Sequence, residues 1–278
     1  MITRFAPSPT GYLHLGHAFS ALTIWDVARR MGGTVLLRIE DTDSNRARPT
    51  FDAAIQEDLR WLGLAWSGDI RRQSEHLNDY DAALARLEAL DLIYPCSCTR
   101  RQIVEAGATS GTDGLVYPGT CRHRTMADWQ EGDAVRLDLA KALALIGHPI
   151  SYDEWSPLAY ETRRFAAADL INSLGDPVLK RKDSGDIAYL LACAHDDALQ
   201  SITYVIRGQD LEAITPLQVV LQRVLGYPTP FYYHHALIRD DEGKRLAKVD
   251  RSKAIAKYRA EGLTPADIRE LVGFGFVT

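Results

Sequence analysis

The opening of the chain constrains the fold more than any other stretch, because a strand-like segment, a loop and a helix-like segment follow one another there. The loop over residues 6–17 contains two prolines and two glycines, and apolar residues recur at helical spacing over residues 18–30. The first turn of a helix has amide N–H groups without partners and the positive end of the helix dipole, so it attracts phosphate. Gly11 and Gly16 let the backbone approach a ligand closely. We therefore predict a phosphate-binding loop between a strand and a helix.

Two histidines, His14 and His17, stand three residues apart at the end of this loop. Residues at this spacing lie on one face of a helical turn, where both imidazoles can donate hydrogen bonds to phosphate oxygens as negative charge develops. The alternative is that the two side chains only cap the helix or pack near its start. The neighbouring glycines and the strand-to-helix context favour nucleotide binding.

The run His14-Leu15-Gly16-His17 resembles the HIGH signature of the class I aminoacyl-tRNA synthetases, and residues 4–11 resemble the preceding loop of the glutamyl enzymes. The resemblance extends over nearly the whole chain. It implies that ATP binds at His14, Gly16 and His17, with L-glutamate beside it. The residues that it places around glutamate in this loop are Arg4, Phe5, Ala6, Pro7 and Ser8.

A second predicted strand, residues 34–39, ends in Glu40 and Asp41. A strand, a helix and another strand in this order favour a parallel sheet with a right-handed crossover, and ligands then collect at the carboxyl ends of the strands. Acidic residues at such a position are often only part of a solvated loop. Because it is expected beside the opening loop, Glu40 is a candidate for binding the α-ammonium group of the substrate, and residues 38–43 also closely resemble the glutamyl family.

The second half of the chain contains a buried-type strand within residues 201–211, with Arg207 near its end and a predicted helix after it. An arginine at a strand end can bind a carboxylate in a bidentate manner, although most such arginines form ordinary ion pairs. We predict structural roles for the adjacent His234 and His235. The resemblance implies that three residues surround the glutamate: Arg4, Tyr189 and Arg207.

Three of the four cysteines, Cys96, Cys98 and Cys121, lie close together in sequence, which in a reducing compartment indicates a metal site rather than disulfides. Zinc takes four ligands in a tetrahedron, and two near pairs joined by a loop bring them together at low entropic cost. The alternative is a loop with free cysteines. Cys193 lies in an apolar run, so we predict a small core residue there.

The fourth ligand of this predicted structural zinc is open between two residues. His123 is the better donor on general chemistry, since imidazole suits zinc. The resemblance favours Tyr117, because the short paralogues of the glutamyl enzymes have a C-x-C followed by Y-x-x-x-C, whereas longer glutamyl enzymes of some bacteria have C-x-H. We predict the set that contains Tyr117.

Near the end of the chain, residues 243–248 resemble the KMSKS loop, with Arg245 and Ala247 in place of a lysine and the serine. The second lysine is Lys248. A mobile lysine can reach the ATP phosphates as charge develops. The resemblance implies that Lys248 acts with the two histidines in catalysis and also binds ATP.

Length and composition set broad limits. The chain has 278 residues, which corresponds to about two domains, and 46% of them are apolar, enough for a buried core. No apolar stretch is long enough to span a membrane and no signal-peptide pattern follows Met1, so we expect a cytoplasmic monomer without a membrane partner. The net charge of −5 argues against non-specific binding of nucleic acid over the whole surface, but a local basic patch can still bind tRNA.

We therefore predict an α/β fold: a Rossmann-like parallel-sheet nucleotide-binding domain with an inserted smaller α+β zinc-containing domain and a short helical C-terminal segment. Residues 1–75 and 185–238 are expected to form the catalytic domain, and residues 76–184 the inserted domain, which in the family faces the tRNA. Residues 239–278 are expected to contain the KMSKS-like loop and C-terminal helices.

The resemblance implies a reaction in two steps. ATP, accompanied by Mg²⁺, activates glutamate as glutamyl-adenylate, and the glutamyl group is then transferred to RNA. Full-length glutamyl enzymes have a large helical anticodon-binding region after the KMSKS loop, whereas only residues 249–278 follow Lys248 here. The chain thus resembles the short paralogues, which place glutamate on the queuosine base in the anticodon of tRNA(Asp).

Three alternatives remain at this point. The first is a minimal glutamyl-tRNA synthetase that charges the tRNA 3′ end. The second is a catalytically weak tRNA-binding module, which the departures at Arg245 and Ala247 would permit. The third is an ATP-using ligase of the pantothenate-synthetase type, which shares the HIGH-like turn but does not explain Glu40, Arg207 or the cysteine cluster.

Overall fold

A computed structural model describes residues 1–238 and 253–274. The strands in these residues are β1 (Ile2–Phe5), β2 (Thr34–Ile39), β3 (Arg71–Arg72), β4 (Ile93–Cys96), β5 (Thr109–Gly111), β6 (Gly114–Val116), β7 (Ala134–Leu137), β8 (Ile150–Ser156), β9 (Ala159–Phe165), β10 (Val178–Lys180), β11 (Tyr204–Gly208) and β12 (Phe231–His235). The α-helices are α1 (Leu15–Arg30), α2 (Pro49–Trp61), α3 (Leu77–Ala89), α4 (Arg100–Glu105), α5 (Leu139–Ile146), α6 (Ala167–Ser173), α7 (Tyr189–Leu199), α8 (Thr215–Leu225), α9 (Ile255–Ala260) and α10 (Pro265–Leu271).

Parallel strands from both halves of the chain form the centre of the molecule. In the first half β1, β2 and β3 are parallel, in the order β1-β2-β3. In the second half β11 and β12 are parallel, and β8 extends their sheet. The two groups adjoin where the Thr203 amide donates to the Ile2 carbonyl at 2.9 Å. The predicted α/β fold with a parallel sheet is confirmed, and the carboxyl ends of β1, β2, β11 and β12 share one edge.

Two apolar clusters form most of the core. The first packs α1 and α2 against β2 and includes Leu22, Leu37 and Leu59, and residues of α9 and α10 complete it. The second joins α3, α5, α7 and α8 with β12. The C-terminal helices therefore pack on the same cluster as the opening helix, and the Ile255 amide donates to the Leu13 carbonyl at 2.8 Å.

The stretch predicted as an inserted domain, residues 76–184, contains a separate antiparallel sheet in the order β10-β7-β4. The β8–β9 hairpin in the same stretch instead joins the sheet of β11 and β12. Aromatic packing explains its position, because the Tyr152 ring contacts Tyr232 and the Trp155 ring contacts Tyr204, with centroids 5.1 and 5.6 Å apart. The two parts thus share a core, and the division into domains stays a prediction.

Several boundaries differ from the sequence predictions by a few residues. Helix α1 begins at Leu15 instead of 18, because the preceding histidine caps it. The sequence pattern over residues 134–139 predicts one strand, whereas β7 ends at Leu137, because the Asp138 side chain accepts from the Lys141 amide and starts α5. Within the described residues, none of the helices combines the length and apolar character needed to cross a membrane.

Candidate active site at the carboxyl edge of the sheet

A cavity of about 1350 Å³ opens at the carboxyl edge of the parallel strands. It is lined by all the described residues that the sequence analysis places at the ATP and glutamate sites: Arg4, Phe5, Ala6, Pro7, Ser8, His14, Gly16, His17, Glu40, Tyr189 and Arg207. Lys248 and the rest of the KMSKS-like run lie outside the described residues. Lys253 and Lys257, which follow that run, line the same cavity.

The two histidines form the first turn of α1. His14 is the N-cap, and its Nδ1 accepts from the Gly16 amide at 3.1 Å, while His17 Nδ1 accepts from the His14 amide at 3.2 Å. The ring centroids are 3.8 Å apart. A Cβ at Gly16 would lie 2.9 Å from the His14 ring, so glycine is needed for this packing. The residues therefore cap the helix, which is one of the two roles weighed from the sequence, and they also line the cavity, while phosphate binding stays a prediction.

These hydrogen bonds determine which nitrogen carries the proton. Because each Nδ1 accepts a hydrogen bond, each neutral ring has its proton on Nε2 and can donate from there. Burial lowers the pKa of His14, and burial together with the neighbouring imidazole lowers the pKa of His17 to about 3. Both rings are therefore neutral hydrogen-bond donors at physiological pH.

Arg207 is a buried cation at the end of β11. Its guanidinium donates to the Tyr189 hydroxyl at 3.1 Å, to Thr215 Oγ1 at 2.6 Å and to His234 Nε2 at 3.2 Å. Within residues 1–238 and 253–274 it forms no ion pair. Since an isolated buried charge is costly, a guanidinium whose partners are all neutral is suited to accept an anionic ligand from the cavity.

His234 was predicted to be structural, and the structure gives it a specific contact with Arg207. Its Nε2 accepts from Arg207, and its Nδ1 lies 2.9 Å from Glu154 Oε2, so Nδ1 carries the proton. Burial lowers the pKa of His234 despite the nearby carboxylate, which keeps the ring neutral. The sequence held no local signal for these contacts, because Arg207 and Glu154 lie 27 and 80 positions from His234 along the chain.

Arg4, at the end of β1, differs from Arg207 in being paired. Its Nε donates to Asp197 Oδ1 at 2.9 Å, and the same oxygen accepts from Arg38 Nη1 at 2.8 Å. Arg38 in turn donates from Nη2 to Glu40 Oε1 at 3.2 Å. Cys193, predicted as a core residue, is fully buried and contacts both arginines through its sulfur.

The charges in this group are nearly balanced. Burial would raise the pKa of Asp197, but Arg4 and Arg38 outweigh it and lower the pKa to about 2, so this carboxylate is ionised. Burial raises the pKa of Glu40 in spite of Arg38. Glu40 therefore has an unfavourable environment for its charge, which a cationic group arriving in the cavity would relieve. Burial also raises the pKa of Tyr189, which remains a protonated hydroxyl.

A separate cluster contains three cysteines, Cys96, Cys98 and Cys121, whose sulfur atoms lie within 4.8 Å of one another. The Tyr117 hydroxyl lies 3.4 Å from the sulfurs of both Cys96 and Cys98. His123 is exposed and does not belong to this group. The donor set of three thiols and a phenol is thus gathered around one point, and it fits a four-coordinate metal site.

The site combines a histidine pair at a helix N-terminus with buried, oppositely charged side chains, all in one α/β cavity. The full chain, residues 1–278, matches the family model "tRNA synthetases class I (E and Q), catalytic domain", and the chain belongs to this family of ligases.

Particular relatives refine this assignment. The chain is 48% identical over 280 residues to the glutamyl-Q tRNA(Asp) synthetase of Rhodobacter capsulatus, covering 98% of this chain and 100% of that protein. It is 42% identical to the protein of the same name from Ralstonia nicotianae, covering 91% of this chain and 78% of the relative.

Among solved structures, a glutamate tRNA ligase from Elizabethkingia meningosepticum in complex with its amino acid is 26% identical, with a TM-score of 0.74. The match covers 98% of this chain and 60% of that one, so the chain spans about 60% of the length of that enzyme.

Proposed function

We propose that this enzyme uses ATP to activate L-glutamate and transfers the glutamyl group to the queuosine base in the anticodon of tRNA(Asp). The observation that carries the activation step is the cavity itself, which is lined by the neutral donors His14 and His17 and by Arg207, a buried cation with no anionic partner among the described residues. The names of the relatives from Rhodobacter capsulatus and Ralstonia nicotianae support the choice of RNA.

In the first step an oxygen of the glutamate α-carboxylate attacks the α-phosphorus of ATP. A new bond forms between this oxygen and phosphorus, and the bond to the bridging oxygen breaks, which gives glutamyl-adenylate and pyrophosphate. No enzyme nucleophile is required, because the step depends on positioning and on stabilising the phosphate charge. The Nε2–H groups of His14 and His17 donate to the phosphate oxygens, and Lys248 adds a positive charge.

The glutamate is bound by groups of complementary charge. Arg207 binds a substrate carboxylate, assisted by the protonated hydroxyl of Tyr189, whose oxygen already accepts from the guanidinium. Glu40 binds the α-ammonium group, and Arg4 neutralises the remaining carboxylate. Phe5, Ala6, Pro7 and Ser8 form the wall of the cavity beside them. Mg²⁺ would accompany ATP into this cavity.

In the second step a nucleophilic group of the queuosine base attacks the carbonyl carbon of the glutamyl-adenylate. A bond forms between this group and the carbon while the bond from the carbon to the phosphate oxygen breaks, so that the glutamyl group is transferred, AMP leaves and the proton of the nucleophile is released. Transfer to the tRNA 3′ end is the second candidate, supported by the similarity to the glutamate tRNA ligase structure.

A structural zinc is proposed for the cysteine cluster, with Cys96, Cys98, Cys121 and Tyr117 as ligands. The support is the short separation of these donors and the position of the Tyr117 hydroxyl between two sulfurs. Such a metal would stabilise the fold around β4 and β7 and would take no part in the chemistry.

Glutamate activation is tested by amino-acid-dependent exchange of pyrophosphate into ATP, with a panel of glutamate, glutamine and aspartate and with tRNA(Asp) present or absent. We expect exchange with glutamate alone among the three. Exchange that requires another amino acid would refute the assignment of substrate.

A further inference from the structure

We propose that Asp197 is a positioning residue for the amino-acid substrate, which orients Arg4 directly and Glu40 through Arg38. This inference rests on the proposed function, because it presupposes that Arg4 and Glu40 bind the amino acid. Asp197 does not line the cavity, so its effect on the substrate must pass through these side chains.

The geometry concentrates two contacts on one oxygen atom. Oδ1 of Asp197 accepts from Arg4 Nε at 2.9 Å and from Arg38 Nη1 at 2.8 Å, and all three side chains are buried. Hydrogen bonds between ionised groups are about twice as strong as neutral ones. Asp197 therefore fixes the Nε side of Arg4 and leaves the Nη side of the guanidinium directed to other partners.

The second contact extends the effect to Glu40. Arg38 is fully buried between Asp197 and Glu40, and it donates to Glu40 Oε1 at 3.2 Å. With two cations and two carboxylates, this buried group has no excess charge. If Asp197 lost its charge, Arg38 would keep its hydrogen bond to Glu40 and the more distant carboxylate of Asp196 at 3.9 Å. Glu40 would then interact more strongly with Arg38 and be less available to a substrate ammonium group.

The adjacent Asp196 provides a matched control on the same helix, α7. It is also buried, and it accepts from Arg71 Nε at 2.8 Å, Gln73 Nε2 at 2.9 Å and the Tyr80 hydroxyl at 2.9 Å. Its distance to Arg38 Nε is 3.9 Å, and none of its hydrogen-bond partners lines the cavity. Asp196 thus has comparable structural contacts, but among the described residues it accepts no hydrogen bond from Arg4 or Arg38, so its replacement leaves both hydrogen bonds of Asp197 in place.

The test compares Asp197→Asn with Asp196→Asn in the full chain. Pyrophosphate exchange gives KM for the amino acid, KM for ATP and kcat, and thermal unfolding gives Tm. In Asp197→Asn the two hydrogen bonds from Arg4 and Arg38 lose their ionised acceptor and end on a neutral amide oxygen, so both guanidinium groups are positioned less firmly. We therefore expect its KM for glutamate to rise on the order of tenfold, with KM for ATP changed less than about twofold. Both variants should lower Tm by similar amounts, but Asp196→Asn should leave KM for glutamate unchanged.

A double variant separates positioning from a general structural effect. If Asp197 acts through Arg4, then Asp197→Asn in an Arg4→Met background should raise KM for glutamate by a smaller factor than it does alone. Equal rises in KM for Asp197→Asn and Asp196→Asn, or fully multiplicative effects in the double variant, would overturn the inference. If the wild type activates a different amino acid, the proposed substrate is wrong, and the same comparison is made with KM for that amino acid. A wild type that activates none refutes both.

Discussion

Replacing Arg207 with methionine removes a buried charge while keeping most of the side-chain volume. Its partners in the described part of the chain are the hydroxyls of Tyr189 and Thr215, the Leu211 carbonyl and the neutral ring of His234. A bidentate contact with a substrate carboxylate consists of two charge-assisted hydrogen bonds of about 1.5–3 kcal/mol each. Losing both would cost about 3–6 kcal/mol, which lowers kcat/KM for glutamate by a factor on the order of 10² to 10⁴.

The same variant should leave stability unchanged or raise it, because no carboxylate is left without its partner. Arg4→Met is the matched contrast. It leaves the buried carboxylate of Asp197 with Arg38 as its remaining close cation, and the free energy of unfolding should fall by on the order of 3 kcal/mol.

The assay pairs glutamate-dependent pyrophosphate exchange with thermal unfolding of the wild type and both variants, all in one buffer. The reasoning is refuted if Arg207→Met lowers kcat/KM less than tenfold. It is also refuted if that variant loses as much stability as Arg4→Met, since Arg207 would then be an ordinary structural cation.

Two further predictions concern the histidine pair and the cysteine cluster. Because the pKa of His17 is lowered to about 3 by burial and by His14, this ring is neutral in the folded protein while it titrates near its usual value in the unfolded chain. The free energy of unfolding should therefore fall as pH drops from about 6.5 towards 3, and it should fall less over that range in the His17→Asn variant. Titration of this ring should cause no decline in exchange activity between pH 6.5 and 8. A decline that His17→Asn removes would contradict the role of His17 as a neutral donor. Tyr117→Phe should lower zinc content by metal analysis and lower Tm, whereas His123→Ala should change neither; loss of zinc in His123→Ala alone would reverse the ligand assignment.

The sequence predicted those parts of the site that lie close together along the chain. His14, Gly16 and His17 are encoded in one turn, and Glu40 follows a strand whose apolar pattern is clear. Their convergence with Arg207 followed from the parallel-sheet rule, because carboxyl ends of such strands share an edge.

The remaining contacts could not be read from local patterns. Asp197 contacts Arg4 across 193 positions, and a buried pair of carboxylates on a mostly apolar helix does not reveal its partners. The one available signal for a buried carboxylate partner was Arg38, a charged residue between Leu37 and Ile39 in an otherwise mainly apolar strand. Sequence order also does not show that the aromatic side chains of β8 pack on Tyr204 and Tyr232, so the position of the β8–β9 hairpin beside β11 and β12 could not be predicted.

The measurement that tests the central claim most directly is transfer of radiolabelled glutamate, with ATP, to three forms of tRNA(Asp): queuosine-modified, unmodified, and modified but lacking its 3′-terminal adenosine. The proposed function predicts labelling of both modified forms and none of the unmodified one. Labelling that requires the terminal adenosine and is indifferent to queuosine would contradict it and would assign the enzyme to charging of the 3′ end.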